Sequence, residues 1–178
     1  MRERRCLQSS ANIPSLTMRK LTPQEQQSEL KRHKEILFAT IDYILQNVKS
    51  ENLDNDAFKT VEDYYRKQKL TIEKYFQEHK LALLKQRLQT LTKIPLTKAD
   101  LHFNNHIKQT TGYEIDIFQE LQTRIQELIR QNKITNEKQL NDVAIKLALD
   151  KQKSSKSQTV DILKSMVLNY ATKAKTSK

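Results

Sequence analysis

The sequence predicts an all-α protein: a long antiparallel helical hairpin with a bundle of shorter helices, about six helices in total. Three observations lead to this fold class. The chain has 178 residues but only one glycine, and hairpin turns and β-bulges depend on glycine. Leu, Lys, Gln, Glu and Ala, which favour helix, are abundant. Apolar residues recur at spacings of three and four through most of the chain.

The first helix is expected to begin at Thr22 and Pro23. Thr22 and Glu25 have the spacing of a capping box, and proline suits the first helical position. The polar stretch KSENLDND ends the helix. Its apolar stripe, with one histidine in phase, comprises Leu30, His33, Leu37, Ile41, Ile44 and Val48.

The second helix is expected over residues 56–93, with an apolar face that changes along its length. The first set is Phe58, Val61, Tyr65, Ile72, Phe76 and Leu83, and the second is Leu81, Leu84, Leu88 and Leu91, in phase with Leu70. Two explanations for this change of apolar face remain open. An uninterrupted helix would be about 57 Å long and would extend beyond a first helix of about 40 Å, so its second half would need other partners. Alternatively, the helix breaks near His79.

Two short connections define the middle helices. Thr97 and Asp100 have cap spacing for a third helix. Gly112, the single glycine, is expected either to end that helix in the left-handed conformation or to let the chain turn. Thr111 and Glu114 offer a capping box for a fourth helix. The apolar residues of the fourth helix are Ile115, Phe118, Leu121, Ile125, Leu128 and Ile129.

The last two helices follow the stretch NKIT and a polar linker. Helix five would bury Leu140, Val143, Ala144, Leu147 and Ala148, and helix six would bury Val160, Leu163, Val167 and Tyr170, with Met166 beside them. The expected organisation is a disordered basic tail over 1–21, a helical domain over 22–150, a linker over 151–157, an amphipathic helix over 158–172 and a basic tail over 173–178. Docking of the last helix on the bundle is the leading expectation, with a partner or an anionic membrane as alternatives.

The net charge of +11 suggests an anionic partner, but the excess lies mainly in the ends of the chain. Residues 1–24 carry five basic and one acidic side chain, and residues 151–178 carry seven and one. Residues 25–150 carry twenty and nineteen. This distribution weakens the case for a dedicated basic face within the helical domain.

The expected location is cytoplasmic. Cys6 is the single cysteine, so no disulfide framework can form within one chain. No apolar run approaches the roughly 18 residues of a transmembrane helix, and the first twenty residues lack the apolar core of a secretory signal.

His102 and His106, four residues apart on one helix, are the strongest candidates for metal ligands. A zincin motif would need glutamate after the first histidine, where Phe103 stands, and no third ligand is evident. The favoured interpretation is two partly exposed histidines near a helix end, with no metal and no cofactor.

A basic run within residues 66–93 is the candidate nucleic-acid surface. The candidate residues are Arg66, Lys67, Lys69, Lys74, Lys80, Lys85 and Arg87. On a continuous helix, Lys67, Lys74 and Lys85 would form one line and Lys69, Lys80 and Arg87 another. The alternative is an exposed helix surface whose long side chains cover apolar neighbours.

Helices four and five have the turn length of a helix-turn-helix, but the second helix is a poor candidate for reading DNA. It carries Lys138 and Lys146 together with Glu137, Asp142 and Asp150. Three acids are unfavourable beside phosphates.

We therefore expect a non-catalytic adaptor or structural protein that binds another protein, or itself, through the hairpin or the last helix. No nucleophile elbow is present, so an enzyme ranks third. The alternative is an accessory or regulatory protein that binds nucleic acid through residues 66–93 and the basic tails.

Overall fold

The computed structural model describes residues 21–50, 54–154 and 158–176, and within these ranges all regular structure is helical. The predicted all-α class is confirmed. Most of the predicted N-terminal tail, including Cys6, lies outside the described residues. The helices are α1 (Pro23–Ser50), α2 (Asn55–Gln77), α3 (Leu81–Leu91), α4 (Lys93–Thr97), α5 (Phe103–Thr111), α6 (Gln119–Gln131), α7 (Glu137–Gln152) and α8 (Gln158–Thr176).

Helix α1 begins with the predicted capping box. The backbone N–H of Thr22 donates to the Glu25 carboxylate at 2.8 Å, and the N–H of Glu25 donates to Thr22 Oγ1 at 3.2 Å. The predicted stripe faces α2 and α3, although Val48 at its end is only partly buried. Ile36 and Ala39, outside that stripe, are also buried, because they contact α5. Helix α1 is therefore covered on more sides than its amphipathic pattern predicts.

The predicted second helix is interrupted at His79, so the interpretation of 56–93 as one uninterrupted helix is wrong. His79 is left-handed with φ of +54°. The N–H of Lys80 donates to the Tyr75 carbonyl at 2.9 Å, and the N–H of His79 donates to the Phe76 carbonyl at 3.1 Å. These two bonds form a Schellman motif, which ends α2 and allows the chain to change direction. The alternative of a break near His79 is confirmed.

Helices α1 and α2 form the predicted antiparallel hairpin. Lys34 pairs with Glu73 at 2.8 Å, and Lys69 pairs with Asp42 at 2.6 Å, so a later residue of α1 meets an earlier residue of α2. Helix α3 then packs against both. The core shared by these three helices contains Leu30, Leu37, Ile41, Ile44, Tyr65, Ile72, Leu84 and Leu91.

The segment between α3 and α5 differs from the prediction. Thr97 is the last residue of α4 and does not cap a helix. Ala99 adopts a φ of +52°, and α5 begins only at Phe103. Asp100 acts in this turn by accepting a hydrogen bond from the His102 N–H at 3.0 Å. Because Ala99 is nearly fully buried, tertiary packing holds this turn in a conformation that its sequence does not indicate.

Gly112 ends α5 as predicted, with φ of +76°. The next prediction, a capping box between Thr111 and Glu114, is wrong because α6 begins at Gln119. Asp116 instead accepts the N–H of Phe118 at 2.9 Å. The intervening residues remain non-helical because apolar side chains of this segment, Tyr113, Ile115 and Ile117, pack against the α1–α5 cluster.

Helices α6, α7 and α8 form a second core. Its buried residues are Ala99, Phe118, Leu121, Ile125, Leu128, Ile134, Val143, Ile145, Leu149, Leu163 and Met166. Leu163 and Met166 belong to α8, so the last helix docks on the bundle. Helix α7 extends to Gln152, inside the predicted 151–157 linker, and α8 extends to Thr176, beyond the predicted 172.

The buried face of α7 is rotated from the predicted one. Ala144 and Ala148, expected in the core, are exposed, and Ile145 and Leu149 are buried instead. The rotation also places two acidic residues of α7 inward. Their ion pairs are described below.

Candidate interaction surfaces

The four candidate basic residues on α2 lie among carboxylates. Lys69 pairs with Asp42 at 2.6 Å, Arg66 lies 3.6 Å from Asp63, and Lys74 lies 3.9 Å from Glu78. Lys67 is exposed and makes no ion pair with a described residue. Alternating charges of this kind weaken attraction for phosphates.

The remaining candidates, Lys80, Lys85 and Arg87, follow the break at His79. Lys80 pairs with Glu78 at 2.6 Å. Since α3 does not continue the axis of α2, Lys85 is not in line with the lysines of α2, and neither is Arg87. The two predicted lines of basic residues along one helix are therefore wrong, and whether any of these residues contacts nucleic acid stays a prediction.

The outer face of α2 also carries large apolar side chains. Leu70 is 68% exposed and Tyr64 is 53% exposed. Leu70 was expected to share a buried face with the later leucines, but those leucines belong to α3 and turn toward α1. Helical spacing places Lys67 and Lys74 on the same outer arc as Leu70 and Tyr64. The result is a mixed apolar and cationic surface.

His102 and His106 lie at the start and middle of α5. His102 is exposed, whereas the ring of His106 packs 4.7 Å from the ring of Tyr43, between centroids. The Tyr43 hydroxyl donates to Asp100 Oδ2 at 2.6 Å. Burial, and then the hydrogen bond to Asp100, raise the pKa of Tyr43 to about 12, so this hydroxyl keeps its proton. Within the described ranges, no group of three or more His, Cys, Asp or Glu residues is placed to hold a metal ion.

Helices α6 and α7 are joined by an ion pair that sequence reasoning missed. Arg124 Nε and Nη2 donate to the two carboxylate oxygens of Asp142 at 2.7 and 3.0 Å. This hydrogen bonding raises the pKa of Arg124. The two residues are 18 positions apart in the sequence and lie on different helices, so the spacing of residues within one helix could not predict their pairing.

Other polar residues of the α6–α7 pair also make structural contacts. Lys146 pairs with the buried Asp150 one turn away, a spacing that is visible in the sequence. The Gln139 side chain accepts from the N–H and hydroxyl of Thr135 at 2.7 and 2.8 Å, and Asn136 caps α7. Residues that could have read DNA bases therefore stabilise the turn and the helix.

An open groove of about 510 Å³ lies between α6 and α7. Leu128 contributes apolar surface, and Arg124, Glu127, Lys138 and Asp142 contribute charge. The lining includes neither histidine nor cysteine, so these residues offer binding contacts rather than a nucleophile with a histidine base. The absence of catalysis stays a prediction.

Comparisons of the chain with protein-family models, curated proteins and solved structures found no match. Among the described helices, none combines the length and apolarity that crossing a membrane requires. A functional proposal therefore depends on the surfaces of these helices.

Proposed function

We propose that the protein is a non-catalytic cytoplasmic interaction protein, whose α2 helix binds an acidic, partly apolar segment of another protein. The observation that carries this proposal is the exposure of Leu70 and Tyr64 on the outer side of a well-packed helix. Isolated exposed leucines are common on protein surfaces. Here a leucine and a tyrosine lie on one arc, and aromatic side chains are enriched among the residues that dominate binding energy.

The charge around these two residues favours an acidic partner. Helix α2 carries five basic residues and four acidic ones, and Glu78 follows its last residue. Lys67, which makes no ion pair with a described residue, lies on the arc between Leu70 and Tyr64, so the position beside these two side chains favours an acidic group. Opposite charge on the partner would increase the association rate and exclude cationic competitors.

Nucleic acid is a less suitable ligand for α2. Three of its four candidate cations lie between 2.6 and 3.9 Å from a carboxylate. The apolar surface of Leu70 would also have no function beside a phosphate backbone. A protein segment with acidic and apolar residues would use both properties of the face.

The proposal is tested by co-purification from the cells that produce the protein, with Leu70→Glu as the test variant. Gln122→Glu on the exposed side of α6 adds the same charge and is the matched control. One protein should be retained by the wild type and the control, and its recovery should fall about 10-fold with Leu70→Glu. A photo-crosslinker at position 67 should attach to that protein, and one at position 122 should not.

Two outcomes would contradict this function. Equal recovery with Leu70→Glu and the control would show that α2 is not the binding surface. Loss of the partner from the wild type after nuclease treatment would show that nucleic acid bridges the two proteins.

A further inference from the structure

A second region of the molecule, residues 79–113, is strongly basic. Residues 79–113, which contain α3, α4 and α5, carry six Lys or Arg residues and one acidic residue, Asp100. Residues 25–78 carry nine basic and eleven acidic residues, and residues 114–150 carry five and seven. The excess of basic over acidic residues within 25–150 therefore lies in this segment, where Lys80 and Lys108 pair with Glu78 and Glu114 at its two ends.

The helices of this segment pack on α1. Leu84 and Leu91 of α3 belong to one cluster with α1, and Phe103 and Ile107 of α5 belong to another with Ile36 and Ala39. Leu88 of α3 packs against both clusters. With these leucines turned toward α1, Lys85 of α3 remains exposed.

The single acidic residue of the segment is already engaged. One carboxylate oxygen of Asp100 accepts the Tyr43 hydroxyl, and the other accepts the backbone N–H of His102. Lys85 on α3 and Lys93 at the start of α4 are exposed, and neither makes an ion pair with a described residue.

We propose that the exposed side of α3, together with Lys93 at the start of α4, binds the phosphate backbone of a nucleic acid, independently of the protein contact on α2. The exposed residues of α3 near these lysines include hydrogen-bonding amides and a hydroxyl: Gln86, Gln89 and Thr90. Side chains of these types, with Lys and Arg, make most phosphate contacts in protein–nucleic acid complexes.

The absence of apolar anchors on this surface distinguishes nucleic acid from other anionic partners. The large apolar side chains that are exposed among the described residues, Leu21, Tyr64, Leu70 and Leu168, all lie outside 79–113. A protein partner needs buried apolar or aromatic anchors, and a membrane-bound helix inserts an apolar face. A phosphate backbone requires neither.

The test compares two charge reversals in the full chain, by fluorescence anisotropy with labelled single-stranded RNA and duplex DNA of mixed sequence. The test variant is Lys85→Glu with Lys93→Glu. The matched control is Lys67→Glu with Lys74→Glu on α2. Both change the net charge equally and leave the basic ends of the chain unaltered.

The Lys85 and Lys93 reversal should weaken binding at least about 10-fold, and the slope of log affinity against log salt should decrease by about two, because two phosphate contacts are lost. The α2 reversal should weaken binding less than about 3-fold, through net charge alone. Equal effects of the two reversals would overturn the proposal, as would a wild type that does not bind.

Two further measurements keep the test decisive. Circular dichroism monitors folding, and if the reversal unfolds the protein, Lys85→Gln with Lys93→Gln must give the same decrease in slope. Poly-glutamate is the competing probe. If it binds as tightly as nucleic acid and is lost with the same variant, the surface binds acidic protein segments and the proposal is wrong.

Discussion

Replacing Arg124 with alanine tests whether the ion pair between α6 and α7 is structural. The side chain of Asp142 is only 9% exposed and accepts two hydrogen bonds from Arg124. Arg124→Ala would leave this carboxylate buried without its cation. The opposite change, Asp142→Asn, would leave a guanidinium that is 37% exposed and can be solvated. We therefore expect the two substitutions to have unequal costs.

The expected loss in the free energy of unfolding follows from the burial of Arg124 and of Asp142. Removing one member of a fully buried pair costs about 3–5 kcal/mol. Because the arginine is partly in water, the pair is not fully desolvated, and the cost of Arg124→Ala should be about 2–3 kcal/mol. Asp142→Asn keeps the shape and one acceptor oxygen, so its cost should be about 1 kcal/mol.

Urea denaturation followed by circular dichroism measures both values. The control is Gln122→Ala, at an exposed position on the same helix, which should lie within about 0.5 kcal/mol of the wild type. A loss below about 0.5 kcal/mol for Arg124→Ala, or a larger loss for Asp142→Asn, would refute the argument from burial.

Three further predictions concern conformation and pH. Gly112→Ala should lower the free energy of unfolding by about 1 kcal/mol, because φ of +76° strains alanine although no atom lies within 4 Å of the added Cβ; an unchanged melting temperature would contradict this. His79→Gly should raise the free energy of unfolding by about 0.5–1 kcal/mol, since glycine adopts φ of +54° without strain; a decrease in urea denaturation would show that the histidine side chain stabilises the turn. Burial lowers the pKa of His33 below its ordinary 6.5, so the unfolded chain binds a proton more readily than the folded one. Stability should therefore decrease as the pH falls below 6.5, and His33→Gln should remove that decrease; an identical pH profile for the variant would contradict it.

The two proposed surfaces were only partly predictable from the sequence. The sequence identified the cations of residues 66–93, but it treated them as lines on one helix. Leu70 was expected in the core, and it is exposed because α3 turns away at His79. The excess of basic residues in 79–113 is present in the sequence, but which of these residues are exposed depends on how α3 packs on α1.

Local chemistry alone determined the class and many of the helix ends. The capping box of Thr22 and Glu25, the left-handed Gly112 and the cap of α7 by Asn136 each depend on residues a few positions apart, so the chain encodes them locally. The tertiary structure decided where α2 ends and which face α7 buries. The change of apolar face left open whether the helix breaks near His79, and the packing of α3 on the apolar face of α1 decides that it does. The inward position of Asp142 on α7 is compensated by Arg124, which a helix pattern cannot identify because hydrophobic periodicity does not report ion pairs between distant residues.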